Sequence, residues 1–158
     1  MNLSPNRIIL LVAAILSAAC EDIRLHTYHS LKDDWSATDT LKYTYANGSI
    51  RDSIFTLDVE LRSTSSYPSR QLWMEIQCTT NKVKHAPVDT LCCEIFDSLG
   101  RQKGTSAGLL HQISVPAGIR NIPPGDTLRI NITHLMKEPV RGITDVGIRL
   151  CGHVQHQP

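Results

Sequence analysis

The 158-residue chain is poor in aromatic residues and has almost no excess charge of either sign. Aromatic residues make up 5% of the sequence, and 16 Lys plus Arg against 15 Asp plus Glu leave a formal net charge of +1. Proteins that bind a nucleic-acid backbone concentrate Lys and Arg, so nucleic acid is not expected as a partner. The remaining composition is that of an ordinary globular domain, which excludes collagen, coiled-coil and wholly disordered chains.

Two motifs that carry metal or cofactor chemistry are also missing. The sequence contains no H-E-x-x-H zinc motif and no G-x-G-x-x-G dinucleotide fingerprint. Asp58 and Glu60 are interpreted as solvent-facing residues of a strand rather than as an acid–base pair. His26 and His29 are three residues apart in a predicted strand, so they lie on opposite faces and do not share a metal ion. We therefore predict no enzymatic activity, no catalytic residues, no metal site and no cofactor.

The longest apolar run stands near the N-terminus. Arg7 precedes the run Ile8–Leu16, which is too short to span a bilayer and is followed by small residues and Cys20. These features predict a cleaved signal peptide. Ser17 and Ala19 fit ordinary secretory cleavage, whereas Cys20 directly after small residues fits a bacterial lipoprotein. We favour the lipoprotein interpretation, in which Cys20 is acylated, becomes the new N-terminus and anchors the chain to a membrane.

The sequence divides into four segments on this interpretation. They are a lipoprotein signal peptide (1–19), a short lipidated linker (20–23), a β-sandwich domain (24–152) and a flexible tail (153–158). Removing 19 residues from 158 leaves 139, which is enough for one hydrophobic core without a metal or disulfide.

Hydrophobic residues alternate with polar ones along much of the chain, which is typical of half-buried strands. The alternation is strongest in residues 53–62, 72–78, 128–133 and 146–151. Weaker strands are predicted over residues 24–29, 41–46, 82–86, 90–96 and 110–115. One short helix is predicted over residues 133–137, and a mobile loop over residues 100–108. The pattern predicts an all-β fold, an antiparallel two-sheet sandwich of jelly-roll or Greek-key type.

The cysteines beyond Cys20 leave two alternatives open. Export to an oxidising compartment permits a disulfide, and the vicinal pair Cys92 and Cys93 projects to opposite faces of a strand. Cys78 with Cys93 is the favoured disulfide. The other interpretation is that all four remaining cysteines are small buried apolar residues.

The few large aromatic residues have two possible roles, core packing or a binding surface. Packing is the expected role for most of them, because each aromatic ring buries a large area. Trp73 is different, because it alternates to the face opposite Leu72 and Met74 and is therefore free to meet a partner. The candidate partner or ligand surface consists of Trp73, Trp35 and Tyr67. A glycan-binding or lipid-binding groove would draw on Trp35, Tyr43, Tyr45 or Trp73.

Four stretches of the sequence, together with the residues around Cys20, resemble the gliding-motility-associated lipoprotein GldH family of Bacteroidetes. They are HTYHSL followed by Trp35 and DTLKYTY, SSYPSRQLWMEI, DTLCCEIFDSLG, and GDTLRINITHLMKEPVRGITDVGIRL. The last stretch is the most specific, because it combines a strand, Met136, Gly142 and the run that begins at Asp145.

The resemblance implies a cell-envelope lipoprotein that works with the gliding-motility and type IX secretion machinery. It implies no enzymatic activity and no cofactor, and the only family position that it assigns is the acylated Cys20. The expected partners are other envelope proteins and the membrane, on the periplasmic face or the outer surface. The alternative function is a surface lipoprotein whose β-sandwich binds a glycan or a lipid.

Overall fold

The computed structural model describes residues 22–152, and these residues form nine strands and no helix. The strands are β1 (Asp22–Ser30), β2 (Leu41–Ala46), β3 (Ile54–Ser63), β4 (Gln71–Thr79), β5 (Val88–Glu94), β6 (Thr105–Ala107), β7 (Leu110–Asn121), β8 (Thr127–His134) and β9 (Ile143–Gly152).

The strands form two antiparallel sheets that pack face to face. One sheet has the order β1-β9-β3-β7-β6 and the other has the order β2-β8-β4-β5. Apart from the short edge strand β6, each sheet contributes four strands, and the chain crosses repeatedly between the sheets, as in a jelly roll. The prediction of an all-β two-sheet sandwich is confirmed.

Strict alternation of side chains builds the core between the sheets. In β3, the residues Phe55, Leu57 and Val59 have no exposed surface, and Leu72 and Met74 of β4 are equally buried in the other sheet. Burial of each such side chain stabilises the fold by roughly 1.5–3 kcal/mol. The hydrophobic rhythm of the sequence therefore specifies which face of each strand points inward.

The strand register defines two ends of the sandwich. The end where β1 begins, with Asp22 paired to Gly152, is called the proximal end. It also carries the connections β2–β3, β4–β5 and β7–β8, which are residues 47–53, 80–87 and 122–126. The opposite, distal end carries residues 31–40, 64–70, 95–104 and 135–142.

Three local predictions are wrong. Residues 82–86 form the turn after β4 rather than a strand, because the Thr80 hydroxyl accepts hydrogen bonds from the backbone N–H groups of Lys82 and Val83. The helix predicted over residues 133–137 is absent, because β8 continues to His134 and the next N–H, of Leu135, donates to Trp73 O. The predicted loop 100–108 contains β6, which forms a hairpin with β7.

The segment predictions at the two termini are not tested by the structure. Strand β1 begins at Asp22, within the predicted linker, and β9 ends at Gly152. The signal peptide, Cys20 and the tail 153–158 lie outside the described residues. Within residues 22–152, no helical segment has the length and apolarity needed to cross a membrane.

Candidate functional site

Trp73 is the large aromatic residue that β4 presents to solvent on the outer face of the four-stranded sheet. Its neighbours in sequence, Leu72 and Met74, point into the core and are fully buried, whereas Trp73 is 42% exposed. The side chain therefore lies where the alternation predicts. Aromatic residues exposed on a rigid element are frequent anchors of protein and ligand contacts.

Two further nonpolar residues lie beside this indole. Cys92 of β5 is the register partner of Trp73, and Leu135, which is 45% exposed, donates its backbone N–H to Trp73 O at 2.8 Å. We call Trp73, Cys92 and Leu135 the Trp73 surface. Because β4 begins at the distal end, this surface lies toward the distal end of the sandwich.

Charged groups border the Trp73 surface. Glu94 follows Cys92 on the same face of β5, and its carboxylate pairs with Lys103 at 2.8 Å and with Arg70 at 3.5 Å. The hydrogen bond and charge of Lys103 hold the pKa of Glu94 below its usual value. A nonpolar centre with an ionised rim is the usual anatomy of a protein–protein contact.

A shallow depression adjoins the surface along the same sheet face. It has a volume of about 180 Å³ and is lined by Thr40, Glu75, Gln77, Val88, Asn131 and Thr133. Most of these side chains offer hydrogen-bond donors or acceptors. An exposed indole near several polar groups is also a suitable arrangement for a sugar.

The structure corrects the assignment of Trp35 and Tyr67 to a surface. Trp35 is 1% exposed and its Nε1 donates to Asp39 O at 3.2 Å, while Tyr67 is 4% exposed and its hydroxyl donates to Gln71 O at 2.9 Å. Both rings fill gaps between strands and connections, and burial raises the pKa of Tyr67 to about 12. Packing is the role of these two residues, and the candidate surface narrows to Trp73.

The favoured disulfide is also wrong. Neither Cys78 nor Cys93 forms a disulfide. Cys93 of β5 lies opposite Leu72 of β4, and Leu72 precedes Cys78 by six residues along that strand. Six residues of strand span about 20 Å, whereas bridged cysteines have Cα atoms within about 7 Å. The other alternative holds for Cys93 and Cys151, which are buried, whereas Cys78 and Cys92 are only half-buried. Burial raises the pKa of the Cys93 thiol to about 12 and so favours the protonated form.

The outer face of the five-stranded sheet carries a network around a buried carboxylate that sequence reasoning treated as solvent-facing. Glu60 is only 3% exposed. Its Oε2 is hydrogen-bonded to His26 Nε2 at 2.8 Å and accepts from the Tyr28 hydroxyl and from Gln112, and Arg149 Nε lies 3.5 Å from Oε1. No signal in the sequence distinguishes Glu60 from a solvated glutamate, because the ring that covers it comes from a strand 32 residues away.

This network is closed rather than poised for catalysis. Burial raises the pKa of Glu60, but the hydrogen bonds from Tyr28 and His26 and the charges of His26 and Arg149 outweigh burial, so the pKa ends below its usual value. The Tyr28 ring is covered in turn by the Arg62 guanidinium, 4.0 Å from the ring centroid. The carboxylate of Glu60 is ionised, and its oxygens are engaged by neighbouring side chains of the same sheet, which indicates a structural role.

Gly147 lets the Tyr28 ring lie flat across the sheet, and replacing it with alanine tests the network. A Cβ at position 147 would lie 2.4 Å from Tyr28 Cδ1 and 2.9 Å from Thr27 O. Gly147→Ala is expected to lower the free energy of unfolding by about 1–3 kcal/mol, as overpacking usually does. Urea unfolding measures the change, and Gly48→Ala, where the added Cβ meets open space, is the control. Equal stability of the two variants would contradict the close packing of Tyr28.

His26 and His29 lie on opposite faces of β1, as their spacing predicts. His26 faces Glu60 on the outer face, whereas His29 Nε2 is hydrogen-bonded to Lys42 O at 2.9 Å and its ring contacts Tyr43. Across residues 22–152, no three His, Cys, Asp or Glu side chains are grouped in a way that could hold a metal ion.

One pattern of serine hydrolases, G-x-S-x-G, is present at residues 104–108. In such enzymes the serine stands on a turn from a strand to a helix. Ser106 instead lies in edge strand β6, opposite His111 of β7, and Gly108 forms the hairpin turn with φ of 66°. Among the hydrogen bonds of the described residues, none joins Ser106 to His111 or a carboxylate to His111. The pattern here builds a hairpin.

Several solved structures are distantly similar to the chain, and no curated protein matches it. One similar structure is a family GH115 4-O-methyl-alpha-glucuronidase with specificity for decorated arabinogalactans (13% identity, 77% of this chain and 14% of that chain, TM-score 0.39). Others are dimeric latent PorU from Porphyromonas gingivalis (12%, 85% and 13%, 0.36) and a CocE/NonD family hydrolase from Staphylococcus aureus (10%, 83% and 33%, 0.39). The chain thus spans a third or less of the length of these proteins.

The comparison with family models is specific. The GldH lipoprotein model matches residues 24–150, which is nearly all of the described sandwich. The match includes the strands that carry the Trp73 surface and the Glu60 network. The chain belongs to the GldH lipoprotein family.

Proposed function

We propose that this protein is a non-catalytic accessory component of the gliding-motility and type IX secretion machinery, held at a membrane of the cell envelope by acylated Cys20. It acts through protein contacts made by the Trp73 surface. The observation that carries the proposal is the family match over residues 24–150.

Two properties of the molecule support this role. Membership of a lipoprotein family implies membrane anchoring in the envelope, and the GldH lipoprotein family is not known as a family of enzymes. The buried carboxylate of Glu60 contacts side chains of this same chain and is not directed into a cleft. The sheet face around Trp73 has the exposed aromatic residue and charged rim that are typical of a protein–protein contact surface.

Substitution of Trp73 tests the contact. Affinity capture of the full-length tagged protein from detergent-solubilised membranes is expected to enrich known components of the gliding and secretion machinery. Because a central aromatic anchor contributes 2 kcal/mol or more, Trp73→Ala is expected to reduce that enrichment about 30-fold. Leu109→Ala is the control, since Leu109 is 91% exposed at the tip of the β6–β7 hairpin. Unchanged enrichment with Trp73→Ala would contradict the assigned surface.

A second candidate function is glycan binding on the same sheet face. The depression lined by Glu75, Gln77 and Asn131 beside the exposed indole favours it. Calorimetric titration of the purified protein with soluble glycans distinguishes the two functions. Saturable binding that is lost in Trp73→Ala, without enrichment of machinery components, would replace the first proposal by the second.

A further inference from the structure

The proximal end of the sandwich is joined to the predicted anchor by a very short stretch of chain. Cys20 precedes Asp22, the first residue of β1, by two positions. Two extended residues reach about 7 Å. If the acyl chains of Cys20 enter a bilayer, the start of β1 therefore lies within about 7 Å of Cys20 and so close to the lipid headgroups.

Two connections at this end hold apolar residues out into solvent. Ile50, between β2 and β3, is 86% exposed, and Val83, between β4 and β5, is 52% exposed. Ile23, the second residue of β1, is 49% exposed. Apolar side chains at loop tips of one end mark an interaction site when they occur together.

Buried polar residues keep these tips in place. Asn47, 1% exposed, donates its side-chain N–H groups to Asp52 O at 2.8 Å and to Ile122 O at 2.7 Å. Asp126, 4% exposed, accepts the Asn81 N–H at 2.9 Å, and its backbone carbonyl accepts the Asn47 N–H. The three proximal connections are thus tied together, so the exposure of Ile50 and Val83 is built into the fold.

The charges of the proximal connections favour an anionic surface. Each apolar tip has basic neighbours, Arg51 beside Ile50, and Lys82 and Lys84 on either side of Val83. These three cations are exposed and form no ion pair with a described residue. Among the described residues, the carboxylates nearby are paired or buried, since Asp22 and Asp52 share Arg24, Asp89 pairs with Arg120, and Asp126 is buried.

The distal end differs in charge. It also exposes apolar residues, Leu99 at 75% and Leu109 at 91%. However, its unpaired charges nearly cancel, because the exposed carboxylates Asp33, Asp39 and Glu138 and the exposed cations Lys32 and Lys137 all stand there without an ion pair to a described residue. The distribution of free charge therefore distinguishes the two ends.

We infer that the proximal end lies directly against the bilayer, with Ile50 and Val83 in the headgroup region and Arg51, Lys82 and Lys84 facing anionic lipid. This inference rests on the proposed acylation of Cys20, and it adds the orientation of the domain. Apolar residues of interface-bound elements lie about 5–10 Å deep, and each Lys or Arg near an anionic surface increases binding about fivefold. The Trp73 surface, which lies toward the distal end, is then held away from the lipid.

Quenching by brominated lipids tests the orientation. The full-length acylated protein is reconstituted into vesicles of phosphatidylcholine and phosphatidylglycerol with brominated acyl chains, in the variants Ile50→Trp, Val83→Trp and Leu99→Trp. The tryptophan emission added by Ile50→Trp and by Val83→Trp is expected to be largely quenched, whereas that of Leu99→Trp at the distal end stays close to its value without bromine. Exchanging Arg51, Lys82 and Lys84 together for Gln is expected to weaken the quenching of Ile50→Trp.

The outcomes distinguish the orientation of the proximal end from the proposed acylation of Cys20. Protein that does not sediment with the vesicles contradicts the lipid anchor and the orientation together. Protein that sediments, but in which Ile50→Trp and Val83→Trp are quenched no more than Leu99→Trp, contradicts the orientation alone. Quenching confined to the two proximal variants supports both.

Discussion

Trp35→Ala is expected to lower the free energy of unfolding by about 3–5 kcal/mol, the usual cost of removing a fully buried aromatic ring. Trp35 is 1% exposed, and it holds the β1–β2 connection to the core. Its backbone pairs with Val140, its ring meets His134 edge to face at 5.0 Å, and its carbonyl is hydrogen-bonded to His134 Nε2 at 3.0 Å. Deleting the indole leaves a cavity at a point where two connections and a strand end converge.

Thermal and urea unfolding measure this effect. A loss of this size corresponds to a fall in Tm on the order of 10–20 °C for a domain of this length. Trp35→Phe keeps most of the apolar volume and loses the bond to Asp39 O, so a smaller loss of about 1 kcal/mol is expected. Trp73→Ala is the matched surface control and is expected to change stability by less than about 0.5 kcal/mol. Comparable losses for Trp35→Ala and Trp73→Ala would contradict the different placement of the two indoles.

Cys20→Ser is expected to move the protein from the membrane fraction to the soluble fraction of fractionated cells. Each buried methylene of an acyl chain contributes about 0.8 kcal/mol, and two or more chains give stable anchoring where one gives only marginal binding. A serine in place of the thiol cannot be acylated in the same way. Without the acyl chains, only the proximal loops would contact the membrane, and they are not expected to retain the protein there.

The control for this experiment is Cys92→Ser, because Cys92 is a cysteine of the folded domain that stands away from the anchor. That variant is expected to stay with the membranes like the unaltered protein. Mass spectrometry of the mature N-terminus reports the acyl chains directly. A Cys20→Ser protein that sediments with membranes and is cleaved normally would show that acylation is not the anchor.

The strand pattern and its limits show what local sequence can predict. The rhythm of β3, β4, β8 and β9 identified inward and outward residues correctly, including the outward Trp73, because the period of two is a property of each strand by itself. The failures lie where partners from elsewhere in the chain decide the structure. Residues 133–137 form no helix because β8 continues to His134 and the N–H of Leu135 donates to Trp73 O, a contact over 62 residues that no local propensity contains.

The candidate sites show the same division. Glu60 reads as a solvated strand residue until Tyr28 and His26 of β1 are placed over it through β9. Trp35 and Tyr67 lie within connections between strands, where the sequence predicts surface aromatics, yet both side chains are buried. The alternation of side chains along a strand allows Cys78 and Cys93 to project to the same side of the sheet. Only the register of β4 with β5 shows that the two thiols are far apart.

The amino-acid sequence alone determined the class of fold, the inward face of each main strand and the resemblance to a lipoprotein family that the match over residues 24–150 confirms. The lipid anchor is a prediction from the sequence. These features depend on composition and on short-range periodicity, which are present before the chain folds. Strand order, the closed Glu60 network and the grouping of Ile50, Val83 and their basic neighbours at one end were decided by tertiary structure. Each of these depends on long-range pairing, which sets the positions of residues far apart in the chain and which local pattern does not encode.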